Sequence, residues 1–257
     1  MASTPAILSL REAAALKKPT PYTYTLFGTP QLFMFGAAHF RTATDPQFAL
    51  MQLLWGEFKA LDGAKIAIVE PGIGPISDTF EGAIKTAGEA GATLWLGLRD
   101  GVGILCADLD FRERLALLVK EFGADAVAYW VIAREMDIYY RNPGSRTADE
   151  ALTAHLKSYR RRFEEIGVAG DRAWFDAKHA QVSGGKPIDD KEYWDFVNSW
   201  NGPKVFIDII EMESRLRNER ILSVITHLRS LGLHIFVTYG ATHVVQLEPA
   251  LRALVEG

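Results

Sequence analysis

The stretch Leu233 to Val244, LHIFVTYGATHV, reads as a buried β-strand running into a glycine, a histidine and the start of a helix. A near copy lies at the other end of the chain: Gln31 to Phe40, QLFMFGAAHF, reads as a strand followed by Gly36-Ala37-Ala38-His39. Both runs are apolar without alternation, the pattern of strands covered on both faces. Working outward, Tyr22 to Leu26 and Gln31 to Phe35 flank the turn signal Gly28-Thr29-Pro30, which predicts an N-terminal hairpin. Lys65 to Val69, Thr93 to Leu98, Ala126 to Ile132 and Lys204 to Ile210 are further short apolar runs read as strands. Helical spacing marks Asp45 to Leu61, Ser77 to Ala90 (capped by Ser77 or Asp78), Asp110 to Phe122, Thr147 to Ile166, Met212 to Leu231 and Val244 to Val255. Strands separated by helices predict an α/β fold, with a largely parallel central sheet and helices on both faces. The expectation is a single α/β domain over 1–257, with a mostly helical insertion over residues 137–203.

Composition narrows the function classes. The 257 residues are 48% apolar and 23% charged, with a formal net charge of −4, which fits a globular protein and excludes a disordered chain. The acidic balance argues against a nucleic-acid partner. No run of 18 apolar residues occurs, so no membrane span is expected. Met1 to Lys18 makes a poor signal peptide, because Arg11 and Glu12 interrupt its apolar part. A single cysteine, Cys106, excludes an internal disulfide and a cysteine-based zinc site. These readings point to a reducing, cytoplasmic compartment.

In open α/β sheets, ligands bind beyond the carboxyl ends of the strands. The expected strands deliver His39, Glu70, the pair Arg134-Glu135, Glu211, and Tyr239 with His243 to that edge. Histidines and carboxylates together suit general acid–base chemistry or a divalent metal site. With 22 glycines in 257 residues, about one histidine in twelve would follow a glycine by three positions by chance. Here two of the six do so, and both follow strands. If each then sits at a helix start, the helix dipole keeps the imidazole neutral, as a base or ligand requires. Glu70 would otherwise cap a loop or pair with an arginine. On the helix of residues 212–231, Arg217 lies about 40° and Asn218 about 60° from Ile221 on the apolar face. An inward guanidinium must meet an anion, either a structural carboxylate such as Glu70 or Glu211, or a developing oxyanion. Arg134, Glu135, Asn218 and Tyr239 are candidate substrate contacts. His155, His179 and His227 read as solvated, and His234 as packing. Tyr193, Trp194, Phe196 and Trp200 read as the insertion's own core, with a lid or partner-binding surface as the alternative. Gly72-Ile73-Gly74 and Gly101-Val102-Gly103 are too short for a dinucleotide fingerprint, and no GxGxxG, Walker, HExxH or GxSxG sequence occurs.

A hairpin and Gly36-Ala37-Ala38-His39, a strand ending in Glu70, the helix segment Arg217-Asn218-Glu219-Arg220, and Gly240-Ala241-Thr242-His243 before a terminal helix resemble the Tiki/TraB/GumN and erythromycin esterase/ChaN superfamily. The resemblance covers residues 22–75 and 204–254, and residues 76–203 carry no motif of that family. It implies a hydrolase that uses His39, Glu70 and His243 to activate water, with or without a divalent cation, and Arg217 in the place of the family's helix arginine. The substrate would be a small molecule or a peptide. ChaN-like members imply an alternative, a non-catalytic protein binding haem, a metal or a small anion.

Overall fold

The computed structural model describes residues 6–70, 77–141 and 143–256. Their elements are α1 (Leu10–Ala15), β1 (Tyr22–Leu26), β2 (Leu32–Ala37), α2 (Pro46–Ala60), β3 (Lys65–Val69), α3 (Phe80–Asp100), β4 (Gly103–Cys106), α4 (Phe111–Phe122), α5 (Ala124–Arg141), α6 (Ala148–Glu165), α7 (Arg172–Ser183), α8 (Lys191–Val197), α9 (Lys204–Ser230), β5 (His234–Gly240) and α10 (Ala241–Glu256). Gly72-Ile73-Gly74 and the first five residues of the segment Met1 to Lys18 lie outside the described residues. Among the described residues, no helix is long and apolar enough to cross a membrane.

The chain forms two compact units, one of residues 1–109 with 214–257 and one of residues 110–213. The first holds a five-stranded sheet in the order β1-β2-β5-β3-β4. β2, β5, β3 and β4 run parallel, and β1 pairs antiparallel with β2 at the edge. Strand residues alternate between two apolar clusters. Leu32, Met34, Ile68, Ile235, Val237 and Tyr239 pack with Ile221, Ile225 and Leu228 of α9 and with Val244, Leu247 and Leu251 of α10. Phe33, Phe35, Ala67 and Phe236 pack with Phe48, Met51, Trp55 and Phe58 of α2 and with Ile84, Ala92 and Leu96 of α3. Burial on both faces explains why β2 and β5 lack a polar alternation. Local chemistry sets the start of α2, where the Asp45 carboxylate accepts the Gln47 N–H and Pro46 fills the first turn.

Three expected strands are helical. Thr93 to Leu98 lies in the second half of α3; Gly88 to Thr93 are all buried, with Leu96 and Gly97 one turn on, so burial on every side hides the helical period there. The edge strand is instead β4, just after Gly101-Val102. Ala126 to Ile132 belongs to α5, whose residues from Val127 to Ala133 are all buried, so its periodicity is invisible in sequence. Lys204 to Ile210 opens α9, with Phe206 and Ile209 buried three positions apart. Thr79, not Ser77 or Asp78, caps α3, accepting the Gly82 N–H at 3.0 Å.

The second unit is wholly helical among its described residues, and it begins earlier and ends later than the 137–203 segment read from sequence. His179 is not solvated there. It is buried, with its Nδ1 2.8 Å from the Tyr129 hydroxyl and its Nε2 2.7 Å from the Lys186 carbonyl. Tyr193 and Trp194 are core residues, whereas Phe196 and Trp200 are exposed.

Candidate functional site

β2, β3 and β5 end side by side, and their parallel direction sends His39, Glu70 and His243 off one edge of the sheet. Gly36 pairs with Tyr239 and Ala37 with Gly240. The two motif glycines serve different purposes. A Cβ on Gly36 would lie 2.8 Å from both the Ala241 Cα and the Tyr22 carbonyl, so Gly36 lets α10 start against β2. A Cβ on Gly240 would lie 2.5 Å from His39 Nε2, so Gly240 makes room for the imidazole.

Glu70 is held by both oxygens. Oε2 accepts the Gly240 N–H at 3.0 Å, and Oε1 accepts from Arg217 Nη2 at 2.6 Å. Its own N–H continues the ladder to the Thr238 carbonyl. Burial pushes the Glu70 carboxyl upward, but the Arg217 guanidinium, aided by His243 and His39, outweighs it and brings the pKa down to about 2. Arg217 is buried and also donates through Nε to Asp108 Oδ2 at 2.8 Å. Of the partners considered for an inward arginine, it meets Glu70; Glu211 lies within α9, not at a strand end. Its second carboxylate, Asp108, follows β4 and lies outside the candidates that the sequence suggests.

His39 has a left-handed backbone, with φ +58°. It precedes α2 by several residues instead of opening it, so no helix dipole acts on it as expected. Its Nδ1 lies 2.5 Å from Glu89 Oε1, and this contact raises its pKa against the opposing effect of burial. Glu89 is almost fully buried. It is presented by a break in α3, where Ala87 and Gly88 leave the helical conformation and Gly88 adopts φ +57°, ψ −137°. Only glycine takes that conformation readily. His39, Arg41, Glu70 and the segment Ala87 to Ala90 line a cavity of about 300 Å³.

His39, Glu70 and Glu89 each offer one ligand atom, all within 4.8 Å of one another. Among the described residues they form the group of three such donors that could hold a metal ion, and His243 is not part of it. One imidazole nitrogen and two carboxylate oxygens match the donor preferences of zinc, manganese or iron.

His243 lies in the first turn of α10, and its Nδ1 is 2.7 Å from Asn218 Oδ1. Tyr239 meets its ring edge-on with centroids 6.0 Å apart. The Tyr239 hydroxyl is buried without a hydrogen-bond partner among the described residues, and burial raises its pKa. Asn218 is fully buried and its amide is committed to His243 and Gln246. Arg134 and Glu135 are not at a strand end; they lie on α5 in the second unit, where Glu135 accepts the Tyr159 hydroxyl.

Two residues absent from the sequence reading therefore complete the cluster. Glu89 sits among the small residues Ala87, Gly88, Ala90, Gly91 and Ala92, and Asp108 is the first acid beyond the strand at 103–106. Comparison with known family models, curated proteins and solved structures gives no match.

Proposed function

We propose that the protein is a hydrolase that activates water at the sheet edge, with a divalent cation held by His39, Glu70 and Glu89. A cation bound there supplies Lewis-acid polarisation and makes water acidic enough to ionise near neutral pH. The observation that carries this reading is the three-donor cluster, open to a cavity of about 300 Å³. Arg217 keeps Glu70 ionised and oriented. His243 accepts a proton as water adds to an ester or amide carbonyl. It then returns that proton to the leaving oxygen or nitrogen as the carbon–heteroatom bond breaks. Arg41, on the cavity wall, contacts the substrate, a small molecule or peptide. The resemblance to Tiki/TraB and erythromycin-esterase-like hydrolases supports the same reading through His39, Glu70, Arg217 and His243.

The test combines calorimetric titration with zinc or manganese and a panel of ester and peptide substrates. The wild type should bind one cation per chain and turn over at least one substrate. Glu89→Gln should lose both properties, and His243→Asn should lose turnover while keeping the cation. Cation binding without turnover of any substrate would favour a metal-binding protein. Unchanged turnover in both Glu70→Gln and His243→Asn would refute the site.

A further inference from the structure

We infer that Asn218 is a positioning residue that fixes the tautomer of His243, and that the backbone carbonyl of Leu8 sets the polarity of the whole relay. Four side chains at helical spacing make the relay: Ser214 and Asn218 on one face of α9, His243 and Gln246 on one face of α10. Ser214, Asn218 and Gln246 are each at most 3% exposed, so water does not complete their hydrogen bonds.

The proton positions follow from one group that cannot reverse. The Leu8 carbonyl only accepts, and the amide nitrogen of Gln246 lies 3.0 Å from it, so Nε2 of Gln246 donates there. Gln246 Oε1 then faces inward, where it accepts from Ser214 Oγ at 2.9 Å and from Asn218 Nδ2 at 3.0 Å. With its nitrogen spent, Asn218 presents Oδ1 to His243. An oxygen acceptor at 2.7 Å requires a proton on Nδ1 of the imidazole. Neutral His243 therefore carries its lone pair on Nε2. Reversing Asn218 would set its oxygen against Gln246 Oε1, and reversing Gln246 would set its oxygen against the Leu8 carbonyl, in a dry environment, at a cost of about 1–3 kcal/mol for each buried group left unpaired.

This explains the residue type at 218. A leucine would fill the space and leave the ring free to take either tautomer. An aspartate would still accept from Nδ1 but would oppose Gln246 Oε1 with a second acceptor. The inference rests on the hydrolase reading only for its consequence, that the Nε2 lone pair takes the proton from water.

The experiment is a long-range nitrogen–proton correlation spectrum of the histidine rings at a pH where they are neutral, on the full chain. The wild type should show His243 protonated on Nδ1 with an unprotonated Nε2. Asn218→Leu should show both tautomers and lose turnover by about 10- to 100-fold, the usual effect of removing a partner that orients a site histidine. Asn218→Asp should restore the Nδ1–H tautomer and most of the turnover. A wild-type ring protonated on Nε2 overturns the inference whatever the variants do, as does an unchanged tautomer in a folded Asn218→Leu. The spectrum needs no substrate, so an Nδ1–H ring in a protein without hydrolytic activity sinks the hydrolase reading alone. An Nε2–H ring in an enzyme that depends on His243 sinks only the inference.

Discussion

Replacing Gly240 by alanine should damage the site while leaving the fold nearly intact. The new methyl group would stand 2.5 Å from His39 Nε2 and 3.0 Å from its Cε1. Carbon–nitrogen contacts settle near 3.5 Å, so the imidazole must retreat by about 1 Å. It can do so cheaply, because the His39 side chain is 60% exposed and swings outward. The same movement pulls Nδ1 away from Glu89 and shifts the ring relative to Glu70 Oε2. A displacement of about 1 Å in a positioned group typically costs about 100-fold in rate, and loss of a supporting contact about 10- to 100-fold in metal affinity. Cation titration should therefore show a 10- to 100-fold weaker complex, and thermal unfolding should show a midpoint within a few degrees of wild type. Unchanged cation affinity in a folded Gly240→Ala protein would refute the placement of His39 against the end of β5. Global unfolding would refute the claim that His39 can yield.

Gly36→Ala should do the reverse. Its Cβ would meet backbone on two sides at 2.8 Å, so overpacking should cost roughly 1–3 kcal/mol or more in urea unfolding. Arg217→Met should leave Glu70 and Asp108 without their shared guanidinium and lower stability at pH 7 by about 3–5 kcal/mol, measured by denaturant titration. In the cation-free protein, Glu70 has a folded pKa of about 2, below its unfolded value, so its contribution holds above about pH 4.3 and is lost as pH falls towards 2. Glu70→Gln should flatten that acid limb in pH-dependent unfolding. His179 is held below its ordinary value by burial, so the unfolded chain binds its proton first and stability falls as pH drops below about 6.5. His179→Gln should remove that slope between pH 7.5 and 5.5.

What the sequence revealed and what it hid have identifiable causes. β2, β3 and β5 were legible because each is a short apolar run bounded by a clear break, and each is followed within three residues by a histidine or a glutamate. That placed His39, Glu70 and His243 on one edge from order alone. The inward direction of Arg217 and Asn218 was legible from the wheel of α9, because Ile221, Ile225 and Leu228 define its buried stripe. α5 was not legible as a helix, because burial all round erases periodicity. Glu89 falls inside the helix expected over Ser77 to Ala90, but the break at Ala87 and Gly88 that turns it towards the sheet edge has no local polar signature, and the strand expected over Thr93 to Leu98 is the rest of the same helix. Asp108 disappeared with the unrecognised β4. His39 and His243 share a motif but not an environment. One lies in a left-handed turn against a buried carboxylate and the other in the first turn of a helix against an amide, a difference that the four-residue pattern does not encode.

The most direct test is a crystal structure of the protein equilibrated with zinc or manganese, with anomalous diffraction recorded at the metal edge. The account predicts one anomalous peak at the carboxyl edge of β2, β3 and β5, with His39, Glu70 and Glu89 each contributing one atom at about 2.0–2.2 Å. A peak coordinated by other residues, or no peak at those three side chains at saturating metal, would contradict it.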